Sequence, residues 1–152
     1  MKSHFIFFTI LFCSVSVFSQ KLKPDSLKYD AGNKLFNGPD RLYYENGNKR
    51  IESNYLNGIK HGGEILYYPD GSKNEERFYK YGMKDSTWSI WNEKKIKISE
   101  AGFKNNMKNG KWYIWDNNGN LLFDMTYKNG QKSGLWIMWN EKGEKIDEKL
   151  YK

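Results

Sequence analysis

The chain has 152 residues, one cysteine, and 25 basic against 18 acidic residues, which gives a formal net charge of +7. A single cysteine excludes a disulfide framework within the chain and a metal site built from several thiolates. Aromatic residues make up 17% of the sequence, and this content favours a thin sheet of packed rings over a thick aliphatic core.

The first residues predict an export signal. An apolar run without charged side chains covers residues 5–18, and Val17 and Ser19 stand at −3 and −1 of a cleavage site before Gln20. The run has 14 residues, fewer than the roughly 20 that a membrane-spanning helix needs. We therefore expect residues 1–19 to be a signal peptide, and the protein to reach the periplasm, the outer envelope or the medium.

Two alternatives concern this segment: an uncleaved membrane anchor, and a lipoprotein acylated at Cys13. Phe12 weakens the second, because it stands where a lipoprotein signal needs a small residue. Cleavage would leave 24 basic and 18 acidic residues, a charge of +6. Residues 20–38 are polar and lack a clear period, so they predict a linker or capping segment.

Residues 39–152 repeat with a period of 24 residues. Glycine, or once lysine, recurs in one phase and an aromatic residue recurs in a second phase. The first phase holds Gly47, Gly71, Lys95, Gly119 and Gly143, and the second holds Tyr55, Tyr79, Phe103, Tyr127 and Tyr151. A fixed period of this length is typical of repeat proteins, which build surfaces from stacked units. We expect five units in this domain.

Each unit has the pattern of two short strands. The runs are rich in Trp, Tyr, Phe and Ile and are bounded by Gly and Asn, which favours strand over helix. Dipeptides such as Asn46-Gly47 predict a tight hairpin turn, and a looser turn leads to the next unit. Because no helical pattern is present to cover either face, we predict an all-β fold: an elongated single-layer antiparallel meander of repeated β-hairpins.

The turn lengths predict a register. Trp115 lies four residues before Gly119, but Tyr44 lies three before Gly47, so we predict a two-residue loop in the first hairpin and three-residue loops later, with Gly63 as a compensating insertion. This register sets Trp115 opposite Leu121 and Tyr44 opposite Lys49. It also sets Trp112, Trp88 and Trp136 opposite Asp124, Glu100 and Glu148. Trp115 would then share a face with Phe123, Met125 and Tyr127, and Trp112 would lie on the other face.

An aromatic stripe is the candidate interaction surface, because Trp and Tyr are favoured anchors for binding. It consists of Tyr44, Tyr68, Trp91, Trp115 and Trp139. In a sheet of one layer the same rings are also the available core, so we leave both roles open.

Five acidic residues recur in a third phase: Glu52, Glu76, Glu100, Asp124 and Glu148. Equivalent residues of successive hairpins lie about 9.6 Å apart, too far to share one metal ion. We therefore expect a structural ladder in which each acid pairs with an indole N–H or a neighbouring lysine.

No catalytic pattern is present. His61 is the one histidine after the signal, and its phase holds Asp85, Asn109 and Ser133 in later units; phosphate loops, nucleophile elbows and histidine pairs at metal-ligand spacing are absent from the sequence. Basic residues are interleaved with acidic ones, which argues against nucleic acid as a partner and indicates weak or no membrane association. We expect no enzyme activity and no cofactor.

The unit at 110–134 resembles the MORN repeat variant, found in proteins that include antitoxins of the YwqK type. The repeat pattern is matched at Gly110, Trp112, Trp115, Gly119, Tyr127 and Gly130. Other units match less fully, because Lys95 and Asn106 replace glycines and Arg41 and Ile65 replace the first tryptophan. The resemblance implies an extended array of β-hairpins that acts through protein interaction.

These observations predict an exported, non-enzymatic protein that serves as an interaction or scaffold module of the bacterial envelope and binds a protein partner along one face or edge. One alternative is a carbohydrate-binding module that stacks sugars on the aromatic stripe. Another, implied by the resemblance, is an antitoxin or immunity protein that binds a toxin encoded by a neighbouring gene.

Overall fold

The computed structural model describes residues 27–152, so the predicted signal peptide and the first part of the predicted linker lie outside the described residues. The described residues form one antiparallel sheet of eleven strands. The strands are β1 (Gly38–Tyr43), β2 (Lys49–Leu56), β3 (Ile59–Tyr67), β4 (Lys73–Lys80), β5 (Met83–Lys84), β6 (Ser86–Trp91), β7 (Lys97–Lys104), β8 (Met107–Trp115), β9 (Leu121–Lys128), β10 (Gln131–Trp139) and β11 (Lys145–Tyr151).

Strands that follow one another in sequence are neighbours in the sheet, from β1 at one edge to β11 at the other; β5 is a short side pairing of β4 next to β6. This confirms the predicted all-β meander of hairpins. The apolar residues with buried side chains in 27–152 are Ala101 and Met125, so the rings on the two faces supply most of the packing. No helix in this range is long and apolar enough to cross a bilayer.

The first turn of each unit is a three-residue loop. In the first unit the N–H of Tyr44 donates to Asn48 O at 2.8 Å, and the N–H of Gly47 donates to Tyr44 O at 3.0 Å. The same two bonds recur 24 residues further on in every later unit. The predicted shorter first loop is therefore wrong, and Gly63 is not an insertion.

The first loop was predicted to be shorter because the residue type at the start of the turn differs between units. The residue that starts the turn is Tyr44 or Tyr68 in the first two units and Asn92, Asp116 or Asn140 in the others. The asparagine and aspartate side chains accept hydrogen bonds from loop N–H groups two and four residues ahead. In the first two units this turn position holds a tyrosine, a residue typical of strands, so the sequence suggests that the strand continues and that the loop is shorter.

The second turn of each unit is the tighter one, which is the reverse of the prediction. Leu56 pairs with Ile59 across a loop of only two residues. Asn57 and Gly58 in this loop have φ angles of 51° and 73°, as a type I′ hairpin turn requires. Equivalent pairs with positive φ stand at 81–82, 105–106 and 129–130.

A β-bulge after the first turn determines the register. Trp115 lies opposite Leu121, as predicted, but Ile114 lies opposite Phe123, so that Leu122 is an extra residue. One extra residue reverses the face of every side chain beyond it. The predicted pairs with acids are consequently wrong: Trp112, Trp88 and Trp136 face Met125, Ala101 and Lys149. In the first hairpin Tyr43, not Tyr44, lies opposite Lys49.

Directly opposed residues share a face of an antiparallel sheet, and this defines two surfaces. The face that carries Trp112, Phe123, Met125 and Tyr127 is called the ring face. The face that carries Trp115 with the five in-phase acids is called the acid face. The predicted grouping of Trp115 with Tyr127, apart from Trp112, is therefore wrong.

Candidate binding faces

The ring face carries a continuous row of seven aromatic side chains. Neighbouring ring centroids lie 4.9–5.4 Å apart and the rings are tilted against one another. The row runs through Tyr79, Trp88, Phe103, Trp112, Tyr127, Trp136 and Tyr151. Tilted contacts at this distance are favourable for aromatic quadrupoles, so the row binds successive hairpins to each other.

The indoles of this row are fixed at their polar ends as well. Trp112 Nε1 donates to Gly102 O at 2.9 Å, and Trp136 Nε1 donates to Thr126 O at 2.9 Å. Trp88 donates in the same way to Phe78 O at 3.0 Å. The expectation that the in-phase acids accept from indoles is therefore wrong; backbone carbonyls of the preceding strand accept instead.

Three lysines in one phase of the repeat, Lys84, Lys108 and Lys132, lie over the rings of this row. The Nζ atom of Lys108 is 4.4 Å from the centroid of Trp112 and 4.7 Å from that of Tyr127. Lys84 and Lys132 lie over their own ring pairs at 4.5–5.2 Å. These are cation–π distances. This lysine row was not predicted from the sequence, although its 24-residue spacing is a usable signal.

The C-terminal half of the ring face is concave. A groove of about 590 Å³ lies over β8–β11. Its floor is apolar and includes Ile114, Phe123, Met125 and Met138, and its rim carries Lys108, Lys132 and Lys149 beside Asp147. An apolar floor with charged groups at the rim is typical of a binding groove.

The N-terminal half of the ring face differs, because a carboxylate replaces an indole. Glu64 is 2% exposed and lies between Tyr55 and Tyr79 in the phase of Trp112. Glu64 Oε1 accepts from Arg77 at 3.2 Å, and Oε2 accepts from Lys60. The sequence alone indicates Arg41 and Ile65 as replacements of the first tryptophan, but the observed register assigns these positions to Asp40 and Glu64.

This cluster shifts the pKa values of its members. Burial alone would raise the pKa of Glu64, but hydrogen bonds from Lys60 and Ser53 and the nearby positive charges outweigh it and lower the pKa below its usual value. Burial, with a further contribution from the Glu64 charge, raises the pKa of Tyr79 to about 12. Glu64 is thus held ionised, which suits a structural ion cluster and not a proton donor.

The acid face holds only part of the predicted stripe. Trp91, Trp115 and Trp139 lie in one row with Tyr43 and Tyr67, each at the end of its strand. Tyr44 and Tyr68 belong to the turns instead. Their hydroxyls donate to the carbonyl oxygens of Tyr67 and Trp91, at 2.7 and 2.9 Å, and so join neighbouring hairpins.

The five in-phase acids each have a basic partner on the acid face. Four of them form ion pairs with the lysine three residues earlier, at N···O distances of 2.7–3.2 Å, as in the pair Lys97–Glu100. Asp124 pairs instead with Lys111 at 2.6 Å, because Leu121 occupies the lysine position. The expected structural ladder with neighbouring lysines is confirmed.

The in-phase glycines and aromatics also have defined places. Gly47, Gly71, Gly119 and Gly143 are the third residues of the first turns and have φ of 77–90°. Tyr55 packs its ring edge-on against Phe36 at 5.8 Å, before the polar cluster interrupts the row.

His61 accepts a hydrogen bond at Nδ1 from the N–H of Tyr81 at 3.3 Å. In residues 27–152 there is no group of three or more His, Cys, Asp or Glu that would hold a metal ion.

No family model and no curated protein matches this chain. The resemblance to the MORN repeat variant therefore stays a prediction.

Proposed function

We propose that this chain is a non-enzymatic interaction module that binds a protein partner through the ring face. The observation that carries the proposal is the groove over β8–β11, which has an apolar floor between lysine side chains. Exposed apolar surface rimmed by polar groups is characteristic of protein interaction sites. Export to the bacterial envelope, inferred from residues 1–19, is part of the same proposal.

The ring face supports this role better than the acid face. On the acid face each carboxylate of the ladder is already paired with a basic residue. Ion pairs that are satisfied within the chain offer a partner little gain in charge interaction. The ring face in its C-terminal half has an excess of positive charge and an uncovered apolar floor.

Sugar binding is less well supported than protein binding. A sugar stacks on the flat face of an aromatic ring, which has to be free. Trp112 and Trp136 have ammonium groups above them at 4.4 and 4.5 Å and tilted rings on both sides. On the acid face Trp91 lies between Lys73 and Lys97, at 5.1 and 5.6 Å.

Site-specific photo-cross-linking in the native cells tests the proposal. A photoreactive phenylalanine analogue replaces Phe123 on the ring face in one strain and Trp115 on the acid face in a second. We expect one defined protein adduct from position 123 and none from position 115. Adducts from position 115 alone would contradict the choice of face, and an absence of adducts from both would contradict binding to a protein.

A further inference from the structure

We infer that the occupant of the ring-face groove is an acidic, proline-rich segment of a partner, bound across the strands in the polyproline II conformation. This inference rests on the proposed function and specifies the chemistry of the partner. It follows from the charge, the spacing and the apolar floor of the same surface.

Charge is balanced in one half of the ring face and unbalanced in the other. In the N-terminal half Lys28 pairs with Asp40, and Lys60 and Arg77 pair with Glu64. In the C-terminal half Lys132 and Lys149 line the groove beside Asp147, and Lys84 lies on the same face opposite Tyr79. Among the described residues, none of the ion pairs includes Lys84, Lys132 or Lys149.

The lysines also repel one another. Burial over the rings, and secondly the charge of Lys132, lowers the pKa of Lys108. A carboxylate placed between two such ammonium groups would relieve the repulsion and form charge-assisted hydrogen bonds with both. The surface is therefore complementary to an anionic partner.

The distance between the lysines of the row indicates which conformation of the partner segment would fit. Lys84, Lys108 and Lys132 are equivalent residues of successive units, so they are separated by two strand widths, about 9.6 Å. A polyproline II helix has three residues per turn and rises about 3.1 Å per residue, so every third side chain lies on one side at intervals of about 9.3 Å. Acidic residues at every third position would thus meet the lysine row in register.

The apolar floor of the groove fits an acidic peptide better than other polyanions. Ile114, Phe123, Met125 and Met138 present apolar surface that a polysaccharide or a nucleic acid backbone cannot match with apolar groups of its own. Leucine or proline between the acidic residues would cover this floor. Methionines at a binding surface adapt to side chains of different shape.

Binding of synthetic peptides to the full chain tests the inference by fluorescence anisotropy. The probe is a labelled dodecapeptide of four Pro-Leu-Glu triplets, and its matched controls have Pro-Leu-Gln triplets or the same residues with glutamates in adjacent pairs. We expect the Pro-Leu-Glu probe to bind about tenfold more tightly than either control, and to lose affinity as salt rises from about 20 to about 200 mM. Equal affinity for the three peptides, or no binding, would overturn the inference.

Two sets of variants locate the site. Changing Lys84, Lys108 and Lys132 together to Gln should weaken the probe about tenfold, and changing the three to Arg should restore most of the affinity. The matched control changes Lys73, Lys97 and Lys145 on the acid face to Gln, which alters the net charge equally. Equal losses from the two Gln variants would mean unspecific attraction and would contradict the site.

Two further measurements complete the test. Met138→Glu places a carboxylate in the floor and should weaken the probe by a similar factor even if the triple variant fails to fold. Oligogalacturonate, a polyanion without apolar side chains, should not compete with the probe; full competition would contradict recognition of a peptide. If the probe fails but cross-links form at position 123, binding of a protein stands and only the acidic segment is rejected.

Discussion

The hydroxyl of Ser53 donates to the carboxylate of Glu64 at 2.6 Å, and both side chains are buried, at 4% and 2% exposure. This pair lies on the ring face at the point where the aromatic row stops. Arg77 completes the cluster by reaching both Glu64 and Glu75. The unit around Glu64 therefore packs through ions where the three later units pack through rings.

We predict that this cluster is sensitive to the loss of one member but replaceable as a whole. Glu64→Gln should lower the free energy of unfolding by about 2 kcal/mol, because the half-buried charges of Lys60 and Arg77 lose hydrogen bonds to a buried carboxylate. The measurement is unfolding by urea, followed by the far-UV circular dichroism signal.

The matched variant combines Glu64→Trp, Arg77→Met and Glu75→Ser, which introduces the residue types found at the equivalent positions 112, 125 and 99. We expect it to be within about 1 kcal/mol of the natural protein or more stable, because rings of this kind already pack in the other units. The cluster would have a role beyond packing if the triple change destabilised the protein as much as Glu64→Gln does.

Much of the fold follows from the 24-residue period. Gly119 and the four other third-loop positions, with Tyr127 and its equivalents, predict hairpins of fixed length, and the hairpins are present. A constant period also assigns Glu64 to the phase of Trp112. Treating Gly63 as an insertion conceals this relation.

The faces could not be read from strand alternation alone. Alternation from the turn at Gly119 places Trp112 opposite Asp124, whereas the bulge at Leu122 moves it opposite Met125. A bulge is a local backbone conformation, and a single sequence carries little signal for its position. For this reason the ring row and the groove could not be predicted from the sequence.

The hydroxyl of Tyr79 should lose its proton at a higher pH than an ordinary tyrosine. Burial and the charge of Glu64 raise the pKa of its hydroxyl to about 12, above the usual value of about 10. A group whose pKa is higher in the folded state favours folding below the unfolded pKa, and this contribution is lost as the pH rises from about 10 to about 12. Ultraviolet titration should contain a late tyrosine transition that is absent from Tyr79→Phe; an identical curve for the variant would contradict the shift.

The two tryptophans of the fourth unit should differ in their contribution to stability. Trp112 contacts rings on both sides, at 5.2 Å each, and donates to Gly102 O, whereas Trp115 contacts one ring, that of Tyr113, at 5.5 Å. We expect Trp112→Ala to cost about 3 kcal/mol or more and Trp115→Ala to cost about half as much. Denaturant unfolding of both variants is the measurement, and equal costs would contradict the ring face as the main packing surface.

Two residues in left-handed backbone conformation offer a gain in stability. Lys95 and Ser86 have φ of 62° and 57° at positions where most other units have glycine. Side chains with a Cβ atom are disfavoured there, so Lys95→Gly and Ser86→Gly should each raise the free energy of unfolding by about 0.5 kcal/mol. Lys94→Gly is the control and should be destabilising, because it adds backbone freedom to the unfolded chain without relieving a left-handed residue. Chemical denaturation measures all three, and a loss of stability in both Lys95→Gly and Ser86→Gly would contradict the assigned turn geometry.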